Sequence, residues 1–207
     1  VSRSEGRTVL FVSHNMTAVR NLCKTGILLK NGGLHFSGSV NDVINTYLSD
    51  DTLKGIINHH WDFDHAPGFE KIKVKSAYIQ FNGNNLSVTM PFDIVTEFWC
   101  LAEGFPVNVS MILYDINGQC IFNIFTENKP LKKGLHKAVF HIPANFLNDG
   151  VYYVNNMFVT SAQSYFYHEY ANSFEIADDR DGYEWYGKWI GAVRPTFIDI
   201  EYNQISE

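Results

Sequence analysis

The stretch VNVSMILYDINGQCIFNIFT, Val107–Thr126, decides the fold. Val107, Val109, Met111 and Leu113 alternate with Asn108, Ser110, Ile112 and Tyr114. That period of two belongs to an extended strand and puts the two sets on opposite faces. Asn117-Gly118 marks a hairpin turn, and a second apolar run, Gln119–Thr126, returns along the first. Outward from this hairpin, further strands are expected at Lys71–Asn82, Leu86–Thr89, Phe92–Leu101, Leu135–Ile142, Val151–Ser161, Ser173–Ala177 and Thr196–Tyr202. Turn clusters such as Asn82-Gly83-Asn84, Gly104-Phe105-Pro106, Lys133-Gly134 and Asn148-Asp149-Gly150 separate them. About eight or nine short strands at this spacing predict a mainly β chain, an antiparallel β-sandwich of immunoglobulin-like or jelly-roll type. No long helical pattern interrupts them, which argues against a parallel α/β sheet.

Composition agrees with that fold and narrows the partners. The 207 residues are 45% hydrophobic, 18% charged and 15% aromatic, and the aromatic surplus suits both a β core and surfaces that stack on flat ligand faces. Net charge is -6 and the longest basic run is Lys132-Lys133, so no basic stripe exists for nucleic acid. Cys23, Cys100 and Cys120 show no paired spacing, as in a reducing compartment. No apolar run reaches the roughly 20 residues of a membrane-spanning helix, and no signal peptide opens the sequence. A cytoplasmic protein is expected, and the sequons at Asn15, Asn85 and Asn108 then carry no glycan.

The first 50 residues follow a different rhythm. An apolar run, Val9–Val12, expected as a buried strand, leads through Ser13-His14-Asn15 into an amphipathic helix with Met16, Val19, Leu22 and Cys23 on one face. Gly32-Gly33 is expected to turn a hairpin between Ile27–Leu29 and Leu34–Phe36, and Ser39 to cap a helix holding Val43, Ile44, Tyr47 and Leu48. The polar tract 49–68 breaks the pattern and ends in Pro67-Gly68. The boundaries that follow are a fragment at 1–50, a linker at 51–68 and the sandwich at 69–207.

Several motifs bear on possible chemistry. His59, His60, Asp62, Asp64 and His65 crowd one short tract, yet ligands so close in sequence seldom surround one ion. A linker whose Trp61 and Phe63 dock on the sandwich is the expectation there, and no metal site. Asp178-Asp179-Arg180-Asp181-Gly182 lacks the alternating acids and distal glutamate of a calcium loop and is expected to be a solvated turn. Glu97, Glu103, Asp115 and Glu127 are candidates for a carboxylate pair, but nothing fixes their separation. With no nucleophile elbow either, no catalytic residue is assigned.

Strand faces offer a better candidate. In Val151–Ser161, Tyr152, Val154 and Phe158 are expected inward and Tyr153, Asn155 and Met157 outward. If this strand shares a sheet with Val107–Asp115 and Gln119–Thr126, its outer surface carries Asn108, Ser110, Tyr114, Asn123, Tyr153 and Asn155. Amides and hydroxyls bind sugar hydroxyls, and tyrosine rings stack on the C–H faces of sugars. An ordinary solvent face, or a dimer interface, fits the same pattern. In the aromatic tract 181–195, Trp185 is expected exposed as part of a ligand rim, with Trp189 and Ile190 packed.

Two segments carry a resemblance. TVLFVSHNMTAVRNLC, Thr8–Cys23, resembles the switch-histidine segment that closes the nucleotide-binding domain of ABC transporters. Ile27–Leu48, which contains LLKNGGLHFSGSVNDVINTYL, looks like the last hairpin and helix of that domain. His14 would then be a remnant of the ATP site, since the glycine loop and the magnesium-holding acid are absent. Joined to a connector with Trp61 and Ala66-Pro67-Gly68 and to a sandwich ending in Gly191–Pro195 and a last strand, the whole resembles the Wzt family. These are ATPase subunits of ABC exporters of polysaccharides, O-antigen in particular.

The resemblance implies a cytoplasmic carbohydrate-binding domain in lipopolysaccharide biosynthesis, peripheral at the inner membrane through its transporter. That domain would read the non-reducing end of a lipid-linked glycan and couple its completion to export. It also implies a homodimer, with the C-terminal strand exchanged between protomers, and a transmembrane permease partner. ATP and magnesium would belong to the full-length protein and no cofactor to this chain. A dimerisation or regulatory module that binds no sugar is the alternative.

Overall fold

The computed structural model describes residues 8–13, 16–48, 57–160, 163–179, 187, 189–194 and 198. His14, Trp185 and nearly all of the expected strand Thr196–Tyr202 lie outside them, as does the first third of the expected linker, residues 51–56. Among the described residues no helix is long and apolar enough to cross a membrane.

The N-terminal unit is built as its local signals dictate, with one exception. Helix α1 (Met16–Leu22) packs on helix α2 (Val40–Leu48) through Met16, Val40 and Ile44, with Val19, Cys23 and Tyr47 partly buried beside them. Between the helices, β1 (Thr25–Lys30) and β2 (Gly33–Ser39) form an antiparallel hairpin. Its turn sits one residue earlier than expected, on Asn31 and Gly32, with φ of 52° and 76°. Two positive values in a row suit a primed turn, whose twist matches the strands, and asparagine tolerates that region nearly as well as glycine. Ser39 caps α2, its Oγ accepting the Asp42 amide at 3.2 Å and donating to Asp42 Oδ2 at 2.6 Å. The exception is Val9–Val12, which forms no strand and leaves Leu10 and Val12 more than 80% exposed. A strand exists only against a neighbour, and none lies beside it among the described residues.

The rest of the chain is an antiparallel β-sandwich. One sheet runs in the order β10 (Gly134–Ile142), β6 (Phe92–Cys100), β5 (Ile72–Gln80) and β3 (His59–His60), with β4 (Gly68–Phe69) also on β5. The other runs β12 (Gln163–Ile176), β11 (Gly150–Thr160), β7 (Phe105–Asp115) and β8 (Cys120–Phe125), with β9 (Lys129–Leu131) also on β7. Alternate residues of both sheets meet in one core: Val74, Ile94 and Phe98 face Val109, Met111, Leu113, Val154 and Phe158. The opening hairpin closes through Asp115, whose Oδ1 accepts the amides of Asn117 and Gln119 at 2.9 and 2.8 Å. Gly118 takes the positive φ, 80°, that the turn requires.

Departures from the expected strands have physical causes. Leu86–Thr89 makes only an isolated parallel bridge, Ser87 to Ala177, although Leu86 and Val88 are buried. Strand β12 is far longer than Ser173–Ala177, because bulges opposite Asn155 and Phe158–Val159 interrupt its alternation and hide it from a period-two reading. The described part of the expected linker, residues 57–68, is tied to the sheets. Ile57 pairs with Ser173 on β12, His59 and His60 pair with Ala77 and Ser76 on β5, and the Trp61 amide donates to Lys75 O. This strap joins one edge of each sheet, and Trp61 packs against the core as expected. Phe63 docks edge-on against Trp99.

Candidate functional site

The outer face of the sheet β12–β11–β7–β8 gathers most of the residues picked from the sequence. Register places Tyr153 opposite Tyr114, Asn155 and Asn123 opposite Ile112, and Val159 opposite Asn108. Direct partners across a ladder share a face, so Asn108, Ser110, Tyr114, Asn123, Tyr153 and Asn155 all lie on this one.

Their polar groups are used unequally. Ser110 is buried and its Oγ donates to Asn123 Oδ1 at 2.7 Å, with Asn123 itself exposed. Asn155 is fully buried: its Nδ2 donates to the Tyr167 hydroxyl at 2.7 Å and its Oδ1 accepts the Tyr170 amide at 2.8 Å. Tyr170 is the bulged residue of β12 and has a φ of 50°, unusual for a large side chain. Asn155 therefore holds the bulge open and does not reach outward. Asn108, half-buried, leaves its Oδ1 buried and without a partner among the described residues.

The tyrosines form a continuous row. Tyr114 stacks on Tyr153 and Tyr153 packs against Tyr170, with centroids 5.1 and 4.7 Å apart. At its two ends the row comes close to further phenols, Tyr167 beside Tyr114 and Tyr47 of α2 beside Tyr170. Burial, with neighbouring phenols adding to it, pushes Tyr114, Tyr153 and Tyr170 well above the ordinary tyrosine pKa. They stay neutral at any physiological pH, as hydroxyl donors and acceptors on flat apolar rings.

Sequence reasoning missed the cleft at the end of this row. About 330 Å³ in volume, it is lined by Tyr47, Ile57, His59, Tyr153, Tyr170 and Ser173, together with Asn172, Tyr152, Ile116 and Val151. No Asp, Glu, Lys or Arg is among these described lining residues. Three of them bury polar atoms that have no hydrogen-bond partner among the described residues: Tyr153 Oη, Ser173 Oγ and both polar atoms of the Asn172 amide. Buried polar atoms are nearly always satisfied, so such a group in one cleft needs an explanation. Ile57 and His59 reach the cleft on the strap, which the sequence reads as linker. The chemistry on offer is stacking and neutral hydrogen bonding.

Other candidates have structural partners. Asp115 organises its turn, Glu103 accepts the Lys133 amide, and Glu97 accepts hydrogen bonds from Ser76 and Tyr78 beside Lys75. Partial burial tends to raise the Glu97 pKa, but the Ser76 hydrogen bond and the lysines outweigh it and leave the pKa below the ordinary value. Asp178 pairs with Arg194 at 2.9 Å and Asp179 accepts from Thr89 at 2.7 Å, while the rest of the turn expected at 178–182 lies outside the described residues. No three His, Cys, Asp or Glu side chains gather as metal ligands among the described residues. Ile190 is 98% exposed and Trp189 40%, contrary to the packing expected of them. Asn148 Nδ2, donating to the carbonyls of Trp189 and Gly191, fixes the backbone there and turns Ile190 outward.

No family model and no curated protein matches the chain. Among solved structures, the C-terminal domain of Wzt aligns with a TM-score of 0.51 at 14% identity, over 73% of this chain and 94% of that one. The chain has the fold of that domain. A β-D-mannosidase from Dictyoglomus thermophilum (TM-score 0.38, 13% identity, 53% of this chain and 14% of that one) is more distant. So is a β-glucuronidase from Parabacteroides merdae (0.36, 16%, 51% and 13%), and neither carries an argument.

Proposed function

We propose that this chain, with its Wzt C-terminal-domain fold, is a carbohydrate-recognition domain of the ATPase subunit of a polysaccharide ABC exporter. Its role would be to bind the non-reducing end of a lipid-linked glycan of the O-antigen kind, so that completion of the glycan licenses export. The observation that carries this reading is the row Tyr114–Tyr153–Tyr170 leading into a cleft with no Asp, Glu, Lys or Arg among its described lining residues, where buried Tyr153 Oη, Ser173 Oγ and the Asn172 amide have no partner among the described residues. Rings that stack on C–H faces, beside neutral donors and acceptors, match the chemistry of a sugar. Tyr114, Tyr153 and Asn123 make contact in this proposal, Asn155 and Ser110 position them, Asn108 lies farther along the glycan, and Trp185, outside the described residues, is a further candidate contact.

In the same proposal residues 1–50 are the end of the nucleotide-binding domain, 51–68 the link and 69–207 the recognition domain. The phosphate-cradling loop is not within this sequence, so ATP and magnesium would be held elsewhere in the subunit and His14 would answer to them. A transmembrane permease, a second copy with an exchanged C-terminal strand, and a cytoplasmic position at the inner membrane complete the picture.

The test is an NMR titration with oligosaccharides cut from the non-reducing end of O-antigen glycans. Signals of Tyr153, Tyr114 and Asn123 should move with one glycan and not with unrelated ones. A face that responds to none of them sinks the proposal. A second reading, a dimerisation module without sugar binding, has its own support in β8. This strand ends its sheet and leaves Phe125 69% exposed, an edge suited to a second copy. Equal retention of related and unrelated polysaccharides in a pull-down would favour it.

A further inference from the structure

We infer that helix α2 supplies one wall of the cleft and that a bound neutral sugar ring fastens the N-terminal unit to the sandwich. The ligand's class rests on the carbohydrate reading above; the coupling rests on geometry of its own. Among the described lining residues, Tyr47 alone comes from the α1–β1–β2–α2 unit. Its ring and that of Tyr170 line the same cleft. The rest of α2 is committed to its own unit: Ile44 and Val40 pack on Met16, and Val43 closes over Gly26. Tyr47 thus links two bodies that each have their own apolar packing.

Tyr170, the residue Tyr47 meets, is held in place by the sandwich. Its left-handed backbone is secured by Asn155, and its ring lies against Tyr153. A strained conformation survives only where its surroundings over-determine it, and here they aim the ring at the cleft. The orphaned polar atoms belong to Tyr153, Ser173 and Asn172, residues only 7%, 7% and 1% exposed. A ligand that satisfies them while stacking on the tyrosines is polar at its edge and apolar on its face, and the lack of Asp, Glu, Lys and Arg among the described lining residues favours a neutral one. The 330 Å³ available is at the small end of ligand pockets, which run from about 300 to 1,000 Å³, and suits one terminal ring better than a chain. Such a ring gains its full contact only when α2 is seated, and by linkage its binding must in turn favour the seated helix.

The experiment follows amide hydrogen exchange of residues 40–47 in the whole chain, with and without methyl glycosides of neutral hexoses and 6-deoxyhexoses. Tyr153 NMR signals are monitored in parallel to report occupancy. A glycoside that shifts Tyr153 should also slow exchange in α2, by up to about 100-fold at 100 times its dissociation constant. Tyr47→Ala should weaken its binding about tenfold. Tyr47→Phe, which keeps the ring in the cleft wall, should weaken binding less than Tyr47→Ala. Binding at Tyr153 with unchanged α2 exchange and unchanged affinity in Tyr47→Ala overturns the coupling and leaves the carbohydrate reading standing. A panel in which no glycoside moves Tyr153 overturns both.

Discussion

The side-chain amide of Asn156 donates to the hydroxyl of Thr96 at 2.8 Å across the interior of the sandwich, both residues being completely buried. One sits on β11 and the other on β6, so this bond crosses the two sheets where the surrounding contacts are apolar and set no register. A directional bond in that position fixes how the sheets sit over one another, which hydrophobic packing by itself does loosely.

Thr96→Val should therefore destabilise the fold by about 1–3 kcal/mol, since it strands the Asn156 amide in an apolar interior. Urea unfolding of this variant, of Asn156→Leu and of the pair checks the claim. The double variant should recover part of the single loss. Strictly additive losses would show that the bond contributes nothing of its own.

Arg194 ties the segment 189–194 to the sandwich. Its guanidinium reaches Asp149 and Asp178 at 2.9 Å each, bonds Asn148 Oδ1 and covers the Trp189 ring at 5.3 Å. Arg194→Lys keeps the charge but loses the fork, and should cost roughly 2 kcal/mol by denaturation. Trp189 fluorescence should report the segment loosening before global unfolding. A single transition with unchanged midpoint would refute the anchor.

His168 gives the fold an acid limit. Burial, and then the nearby His59, push its pKa down from 6.5 to about 4. The unfolded chain takes up this proton near 6.5 and the folded chain only near 4, so acid favours unfolding in between. The contribution is intact above about pH 6.5 and is lost as pH falls toward 4, on the order of 3 kcal/mol. His168→Phe should flatten the fall in stability between pH 7 and pH 4.5 relative to the parent chain. Equal slopes would contradict the buried neutral imidazole.

Asn155→Ala removes both the acceptor of the Tyr170 amide and the donor to Tyr167. A stability loss of about 1–3 kcal/mol is expected from the unpaired buried groups. Glycan affinity should fall by more than in Tyr114→Ala, because the bulge that presents Tyr170 relaxes. Calorimetric titration with the glycan that moves Tyr153 measures the comparison, and undiminished affinity in Asn155→Ala would show that the bulge does not organise the site.

Much of the sandwich can be read from local pattern. Val107, Val109, Met111 and Leu113 announce an inward face by alternation alone, and the core contains all of them. Tyr114 and Tyr153 stand on the opposite face for the same reason. Ser39 caps its helix because a serine oxygen beside an unpaired amide needs nothing farther away. The site was half legible: its tyrosines alternate outward, but Asn155 looks identical to them in sequence and spends its amide inside the sheet.

Local spacing accounts for the alternation of Val107–Leu113, the Asn117-Gly118 turn and the Ser39 cap, since each depends on neighbours one to four positions apart. Folding alone leaves Val9–Val12 without a strand partner among the described residues, ties Ile57–Trp61 across the two sheets and brings Tyr47 to Tyr170 at a cleft. Each of these is a pairing between distant segments. The free energy of such a pairing lies in surfaces that exist only after the chain has folded, so no local spacing encodes it.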